Sequence, residues 1–347
     1  MARILRVALL HYRPYNIYNN SLTNQININM STLTEFASVE DQAGTSLKNA
    51  TSLEDVIERA GFDFEVEKAA LYNEGNAELD GFYALRRADT KEVMNVVRGR
   101  YQPVHNRQMF EPFDQMVRDF GASYENAGLV RGGRTCWISA KLPGDITVNG
   151  EDKLEQRIVG MAHHDGTKRN SYFQFTRRIW CNNMLRMLQS EANARGHHVR
   201  HTTKWQDHLE KARQGFEGAL RAASTFGDQA GKLADHSLGS NQAECFLQNL
   251  YPIIKEDSKQ KITRTNNRRE SVKDLFHNGK GNVGKTRWDM LNAVTEYYDH
   301  HVGNKKSTPS SRFMSNMSGY GPDKVKQQAF GLLLRTDKFL TLDPQLN

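Results

Sequence analysis

The stretch Gln156–Leu188, QRIVGMAHHDGTKRNSYFQFTRRIWCNNMLRML, decides how the chain is read, because an apolar run, a polar turn, an aromatic-basic run and an apolar repeat follow without a break. Val159, Met161 and His163 alternate with other residues, and Tyr172–Trp180 mixes aromatic and β-branched side chains, which predicts two half-buried strands. The turn between them is placed at His164–Asn170, where Asp165-Gly166 tolerates positive φ. Cys181-Asn182-Asn183 then offers a capping amide before Met184, Leu185 and Leu188, so a helix is expected to follow.

Working outward, Gly132-Gly133 marks a second hairpin between Ser123–Val130 and Arg134–Leu142, and Asp89-Thr90-Lys91 marks a third between Phe82–Arg87 and Val93–Val104. Met109, Phe110, Phe113, Met116, Val117 and Phe120 recur at helical spacing, and Gly121 stops that helix. Ser52 caps a shorter one, SLEDVIERA, which ends at Gly61, and Phe62, Phe64 and Val66 alternate after it as an edge strand would. Beyond Gly196 the pattern turns helical: a long amphipathic repeat from Trp205 to Leu233, then helices around Phe246–Tyr251, Arg269–Phe276, Thr286–His300 and Asp323–Leu334. Lys255–Arg269 reads as a basic connector, and a Ser/Gly/Pro-rich loop precedes Asp323. The fold expected is α+β: an antiparallel sheet with packed helices, followed by a mostly helical region. Residues 1–29 lack an apolar period and are set aside as a loose or untranslated extension, with Met30 as an alternative start. Residues 30–200 are expected to hold the sheet and 201–347 the helical region that packs on it or extends it.

With 347 residues and 38% hydrophobic content the chain can bury a sizeable core. Its longest apolar runs fall far short of the roughly 20 residues a membrane helix needs, and no signal-peptide pattern is evident, so a cytoplasmic location is expected. Cys136, Cys181 and Cys245 are odd in number and without CxxC spacing, which suits a reducing compartment. The net charge is +7, and Gly81–Arg200 alone holds 19 Lys and Arg against 12 Asp and Glu, a surplus as large as that of the whole chain. An acidic partner of the β-rich part is therefore expected.

The strings RRADT, RYQPVHN, YENAGLVRGGRTCWISAKLP, HHDGTKRNSYFQFTRRIWCNNML, VRHT and RWDMLNAVTEYYDHH, in that order over about Ser52–Leu334, resemble the uncharacterised phage/plasmid-like proteins of phages, prophages and plasmids. The resemblance implies a setting in phage or plasmid replication and recombination and brings no active site with it.

Four chemistries compete for these residues. Gly279–Thr286, GKGNVGKT, fits the phosphate loop GxxxxGKT, yet the segment before it is helical in pattern where the motif requires a strand. A helix start there could still hold a phosphate of DNA through backbone N–H groups and Lys285. His163-His164-Asp165, His197-His198, His201 and Asp299-His300-His301 offer metal-ligand types, but His164-Asp165 falls in a turn; no metal ligand is assigned. Cys181 precedes the expected helix, where a thiol is activated if exposed, although it lies between apolar neighbours and no base accompanies it. No catalytic residue and no cofactor is assigned.

Nucleic-acid binding draws on more of the chain. Arg98, Arg100, Arg131, Arg134, Lys141, Lys168, Arg169, Arg177 and Arg178 interleave with Tyr101, Trp137, Tyr172, Phe173, Phe175 and Trp180. Cations meet phosphates, while exposed rings stack on unpaired bases at about 1–3 kcal/mol each. Strand parity puts Tyr172, Gln174, Thr176, Arg178 and Trp180 on one face, expected to stack and to hold phosphates, and Phe173, Phe175 and Ile179 on a core face. In the alternative, both faces are covered and the arginines are a solvated rim. The interface is assigned to Arg98, Arg100, Arg131, Arg134, Trp137, Lys168, Arg169, Tyr172, Arg177, Arg178 and Lys285. The function expected is binding of single-stranded DNA (or RNA) in replication or recombination, with strand annealing by a homo-oligomer and no membrane partner. The other classes are a metal- or nucleotide-dependent enzyme acting on nucleic acid, and a non-enzymatic phage protein that binds a host protein.

Overall fold

The computed structural model describes residues 38–150, 152–179, 183–186, 198–199, 225–302, 308–317 and 321–335. Its first half carries antiparallel strands and its second half helices, an α+β fold as the sequence predicts.

Two sheets are present among the described residues. The smaller joins β2 (Val66–Tyr72), β3 (Glu78–Arg87) and β4 (Val93–Arg98) as a meander. The larger contains β1 (Thr45–Ser46), β5 (Ser123–Val130), β6 (Thr135–Lys141), β7 (Ile146–Val148), β8 (Asp152–His163), β9 (Asn170–Arg178), β10 (Met184–Arg186) and β11 (His198–Val199). Its main order is β1-β5-β6-β8-β9-β10, with β7 paired to β8 and β11 to β9. The three glycine-marked or Asp-Thr-Lys hairpins fall where the sequence places them: β3–β4 around Asp89–Lys91, β5–β6 through Arg131–Arg134, and β8–β9 through His164–Arg169.

Among the described residues of this half there are also the helices α1 (Val39–Ala43), α2 (Leu53–Ala60) and α3 (Asn106–Asp119). The hydroxyl of Ser52 accepts the N–H of Asp55 at 3.2 Å, and Gly61 ends α2 at φ +68°. Met109, Phe110, Phe113, Met116 and Val117 turn the apolar stripe of α3 into a core with α2, Leu85 and Val97 of the small sheet, and Ile138, Ile158 and Tyr172 of the large one. The opposite face of the large sheet holds Trp137, Val159, Met161, Phe173 and Phe175, which meet Val39 of α1 and two residues of a later helix, Phe313 and Met317.

The helical half comprises a helical segment over 225–235, α4 (Ser240–Leu250), α5 (Lys259–Asn278), α6 (Arg287–Glu296), a π turn at Tyr297–His301, α7 (Pro309–Met317) and α8 (Pro322–Leu334). Its core reaches Val148, Leu154 and Leu185 of the large sheet. Buried Lys326 of α8 pairs with Asp299 and donates to the carbonyl of Met184 at 2.9 Å, and Asp299 accepts the N–H of Met184 at 2.8 Å. No helix among the described residues is long and apolar enough to cross a membrane.

Several expectations are corrected. Met184–Arg186 is strand β10, not a helix: it pairs antiparallel with Phe175–Arg177, and that ladder satisfies backbone groups which a helix start would have left to a cap. Of the expected connector Lys255–Arg269, the part from Lys259 on is the first half of α5, capped by the Ser258 hydroxyl, which accepts the N–H of Lys261 at 3.3 Å. The Ser/Gly/Pro-rich loop contains α7, which Phe313 anchors against Trp137 at a ring distance of 4.3 Å. Phe62 and Phe64 are buried, but the strand begins only at Val66. Most of the Trp205–Leu233 repeat, Trp180, Cys181, His197 and His201 lie outside the described residues.

Candidate functional site

Each candidate cation is either consumed by the fold or left at its surface, and strand parity separates the two groups. On the face of the large sheet under α1, β6, β8 and β9 present Lys141, Glu155, Arg157 and Arg177 as neighbours in register. Arg157 is fully buried. Its Nη1 donates to both carboxylate oxygens of Glu40 at 3.0 Å, and its Nη2 donates to Glu125 at 3.1 Å and to Glu155 at 2.9 Å. Arg177 donates to Glu155 at 2.7 Å and to Asp41 at 3.1 Å, and Lys141 donates to Glu155 at 3.0 Å. Burial pushes the Glu155 carboxyl up, yet Arg177 and Arg157 outweigh it and hold the group at about 2. Asp41 is likewise held below its usual value, burial being overcome by Arg177.

Arg178, on the opposite face, donates to Asp152 at 2.6 Å and to the carbonyl of Gly281 at 2.8 Å. Tyr172 is 1% exposed, its hydroxyl donates to the carbonyl of Met109, and its ring stacks on Phe113. Trp137 is fully buried, since a Cβ on Gly44 or Gly128 would come within 2.7 or 2.8 Å of its indole. The expected stacking face of β9 is therefore corrected: Trp137, Tyr172 and Arg178 are interior, and an enclosed ring cannot stack on a base. Arg177 and Arg178 are also occupied by carboxylates. Parity shows which residues share a face but not that α3 and α1 with α7 cover both faces.

Lys285 is exposed in the loop between α5 and α6. That loop lacks the phosphate cradle its spelling suggests. A helix precedes it, and the N–H groups of Lys285 and Thr286 are both given to Asp289 at 3.0 Å, while that of Lys280 goes to Glu296 at 3.0 Å. His164 is buried in the β8–β9 turn against Asn106 at 2.8 Å, and no group of three or more His, Cys, Asp or Glu able to hold a metal ion occurs among the described residues. Burial pushes the Cys136 thiol well up, away from nucleophilic use.

The remaining candidates converge on one edge. β4 runs beside the β8–β9 turn: Asn95 donates to the carbonyl of Asp165 at 2.7 Å, and Gly166, at φ +69°, lies so close that an added Cβ would stand 3.0 Å from Val97 and 3.4 Å from Tyr101. The β5–β6 turn reaches the other end of β4, where Arg134 donates to the carbonyl of Val93 at 3.3 Å. Arg98, Arg100, Arg131, Lys168 and Arg169 are thereby exposed around one strand, with Arg134 half-buried among them. Among the described residues, none of the five exposed cations is ion-paired.

Beside them lies a feature that sequence reading missed. The outer face of the small sheet carries Phe82, Ala84, Val96 and Arg98 in register, with Phe82 44% and Val96 49% exposed and the Arg98 guanidinium 5.5 Å from the Phe82 ring centre. Lys68 lies on the other face, opposite Leu85 and over the Tyr83 ring, and donates to the carbonyl of Gly99 at 3.0 Å. The only signal in the sequence was the alternation of Phe82, Ala84 and Arg86 against Arg98 and Val96, which does not say which face is covered.

A family profile described as a domain of unknown function, DUF932, matches residues 93–318, well over half of the chain and within the span of the resemblance read from the sequence. Neither a curated protein nor a solved structure matches.

Proposed function

The chain belongs to the DUF932 family, and from its geometry we propose that it binds single-stranded nucleic acid, DNA in the first instance, along the β4 edge. The observation that carries this reading is the set of five exposed cations without ion-pair partners, Arg98, Arg100, Arg131, Lys168 and Arg169, beside the exposed Phe82–Val96 face. Cations so placed neutralise backbone phosphates, and an exposed ring with a guanidinium over it offers a base a surface to stack on. Two carboxylates offset them in part: Glu92 stands beside Gly132 in the β5–β6 turn, and Asp165 lies in the β8–β9 turn, its Oδ1 accepting from the N–H and hydroxyl of Thr167 at 3.0 and 2.6 Å. The sequence resemblance supports a setting in phage or plasmid DNA metabolism, and strand annealing would follow if copies of the chain assemble with these edges side by side.

The test is a salt-titrated binding assay on single- and double-stranded DNA, with magnesium and chelator arms. Single strands should bind more tightly than duplex, independently of magnesium, and affinity should fall steeply with salt. Arg98→Ala/Arg100→Ala/Arg169→Ala should shallow the slope of log K against log salt by about 2, at about 0.7 per lost contact. Binding that is absent, or insensitive to salt, removes the proposal; chelator-sensitive turnover of the DNA replaces it with the enzyme reading.

A further inference from the structure

Between the β5–β6 turn, the β8–β9 turn and α7 lies a cavity of about 260 Å³. Its mouth carries the exposed cations Arg131 and Lys168, and its wall includes Ser311 of α7, whose hydroxyl donates to the carbonyl of Thr308 at 2.9 Å. Thr135 and His163 line it from nearly buried positions, 8% and 4% exposed, with the Thr135 hydroxyl 3.0 Å from His163 Nδ1. The cavity thus ends inside the protein, unlike the open face around Phe82. An internal phosphodiester needs a groove that the chain can enter and leave, whereas a blind pocket takes a terminus.

The chemistry of the lining narrows the occupant. Two exposed cations at the mouth of an enclosed polar cavity suit a group with several strong acceptor oxygens and more than one negative charge. A phosphomonoester has three such oxygens and carries roughly −1.5 to −2 at neutral pH, against −1 for a diester. Asp165 also lines the cavity, but the carboxylate oxygen that accepts from Thr167 fixes the turn that presents Lys168. At the small end of ligand pockets, the volume admits a phosphate with little beyond its own nucleoside.

We infer that this cavity is a phosphomonoester site, for the terminal phosphate of a bound strand or for a free mononucleotide. The strand-end form rests on the nucleic-acid reading above; the mononucleotide form does not. The experiment compares single strands of one sequence with a 5′-phosphate, a 3′-phosphate or hydroxyl ends, and adds a deoxynucleoside monophosphate and inorganic phosphate as separate titrants. A preference of about tenfold for one phosphate-ended strand, the scale of one charge-assisted hydrogen bond, assigns the site to strand ends. Saturable binding of the mononucleotide without end preference assigns it to free nucleotide. If neither occurs, the inference is overturned, while persisting binding of hydroxyl-ended strands leaves the function proposed above intact. The location is tested by Arg131→Ala/Lys168→Ala, at two exposed positions, with folding checked by a urea titration. The preference ratio should collapse towards one, or mononucleotide binding should be lost, and Lys168→Arg should restore most of it. A ratio, or mononucleotide binding, that survives the double variant also overturns the inference, and a uniform loss of affinity does not move the ratio.

Discussion

Two sets of arginines in this chain have the same chemistry and opposite employment. Arg157, Arg177 and Arg178 lie on the large sheet and spend their guanidiniums on Glu40, Glu125, Glu155, Asp41 and Asp152. Arg98, Arg100, Arg131 and Arg169 lie on the β4 edge and on the turns beside it, and keep theirs in water. The first set fixes α1 to the sheet and the sheet to the α5–α6 loop. The second set is available to a ligand. A basic composition is thus no measure of a binding surface, because a buried guanidinium has already met its anions.

The comparison breaks most readily at Arg157. Arg157→Met should cost about 3–5 kcal/mol of folding stability, since it leaves three carboxylates converging on an uncharged group. A urea titration that shows no loss would mean the network adds nothing. Arg178→Ala comes next, at about 2–3 kcal/mol, because Asp152 and the carbonyl of Gly281 lose a charged partner. Thermal melts in low and high salt should give the same loss, as the pair is largely screened from solvent.

Acid sharpens the contrast. Glu155 is held at about 2 against a usual value of 4.5, so the stability it contributes is complete above about pH 4.5 and is lost as the pH falls through about 2. Unfolding followed from pH 5 to 2 should show this limb in the parent protein, and Arg157→Met should flatten it. Tyr172→Phe should cost about 0.5–1.5 kcal/mol through its hydrogen bond to Met109, and DNA affinity per folded molecule should not change. A fall in that affinity would return Tyr172 to the interface. The smallest change in stability, within about 0.5 kcal/mol, is expected for Arg98→Ala/Arg100→Ala/Arg169→Ala, judged by the same urea titration, although this variant should show the largest change in salt-dependent binding.

Much of the fold was legible because its signals are local. Asp165-Gly166 and Gly132-Gly133 supply the positive φ that their turns need, at +69°, +67° and +95°, and the stripe from Met109 to Val117 identifies its own helix. Met184–Arg186 was misread because an apolar triplet after two asparagines suits a helix start as well as a strand, and only pairing with β9 decides. The helix α7 was missed because PSSRFMSNM has few apolar residues to give a period, and its stability comes from Phe313 on Trp137.

The candidate site was legible in part for the same reason. Arg98, Arg100, Arg131, Arg134, Lys168 and Arg169 were identifiable as cations in or beside turns, where side chains usually stay in water. The fates of Trp137, Tyr172, Arg177 and Arg178 depend on partners far away in the chain, as does that of Arg157, whose Glu40 lies 117 positions upstream.

The sequence by itself determined the α+β class, the hairpins and the faces of each strand, because backbone dihedral preferences and side-chain periodicity act within a few residues. Only the tertiary structure decided which faces are covered, which arginines are neutralised, and that β4 and two distant turns share one edge. Burial and ion pairing are properties of what the chain brings together across a hundred residues, and no local pattern encodes them.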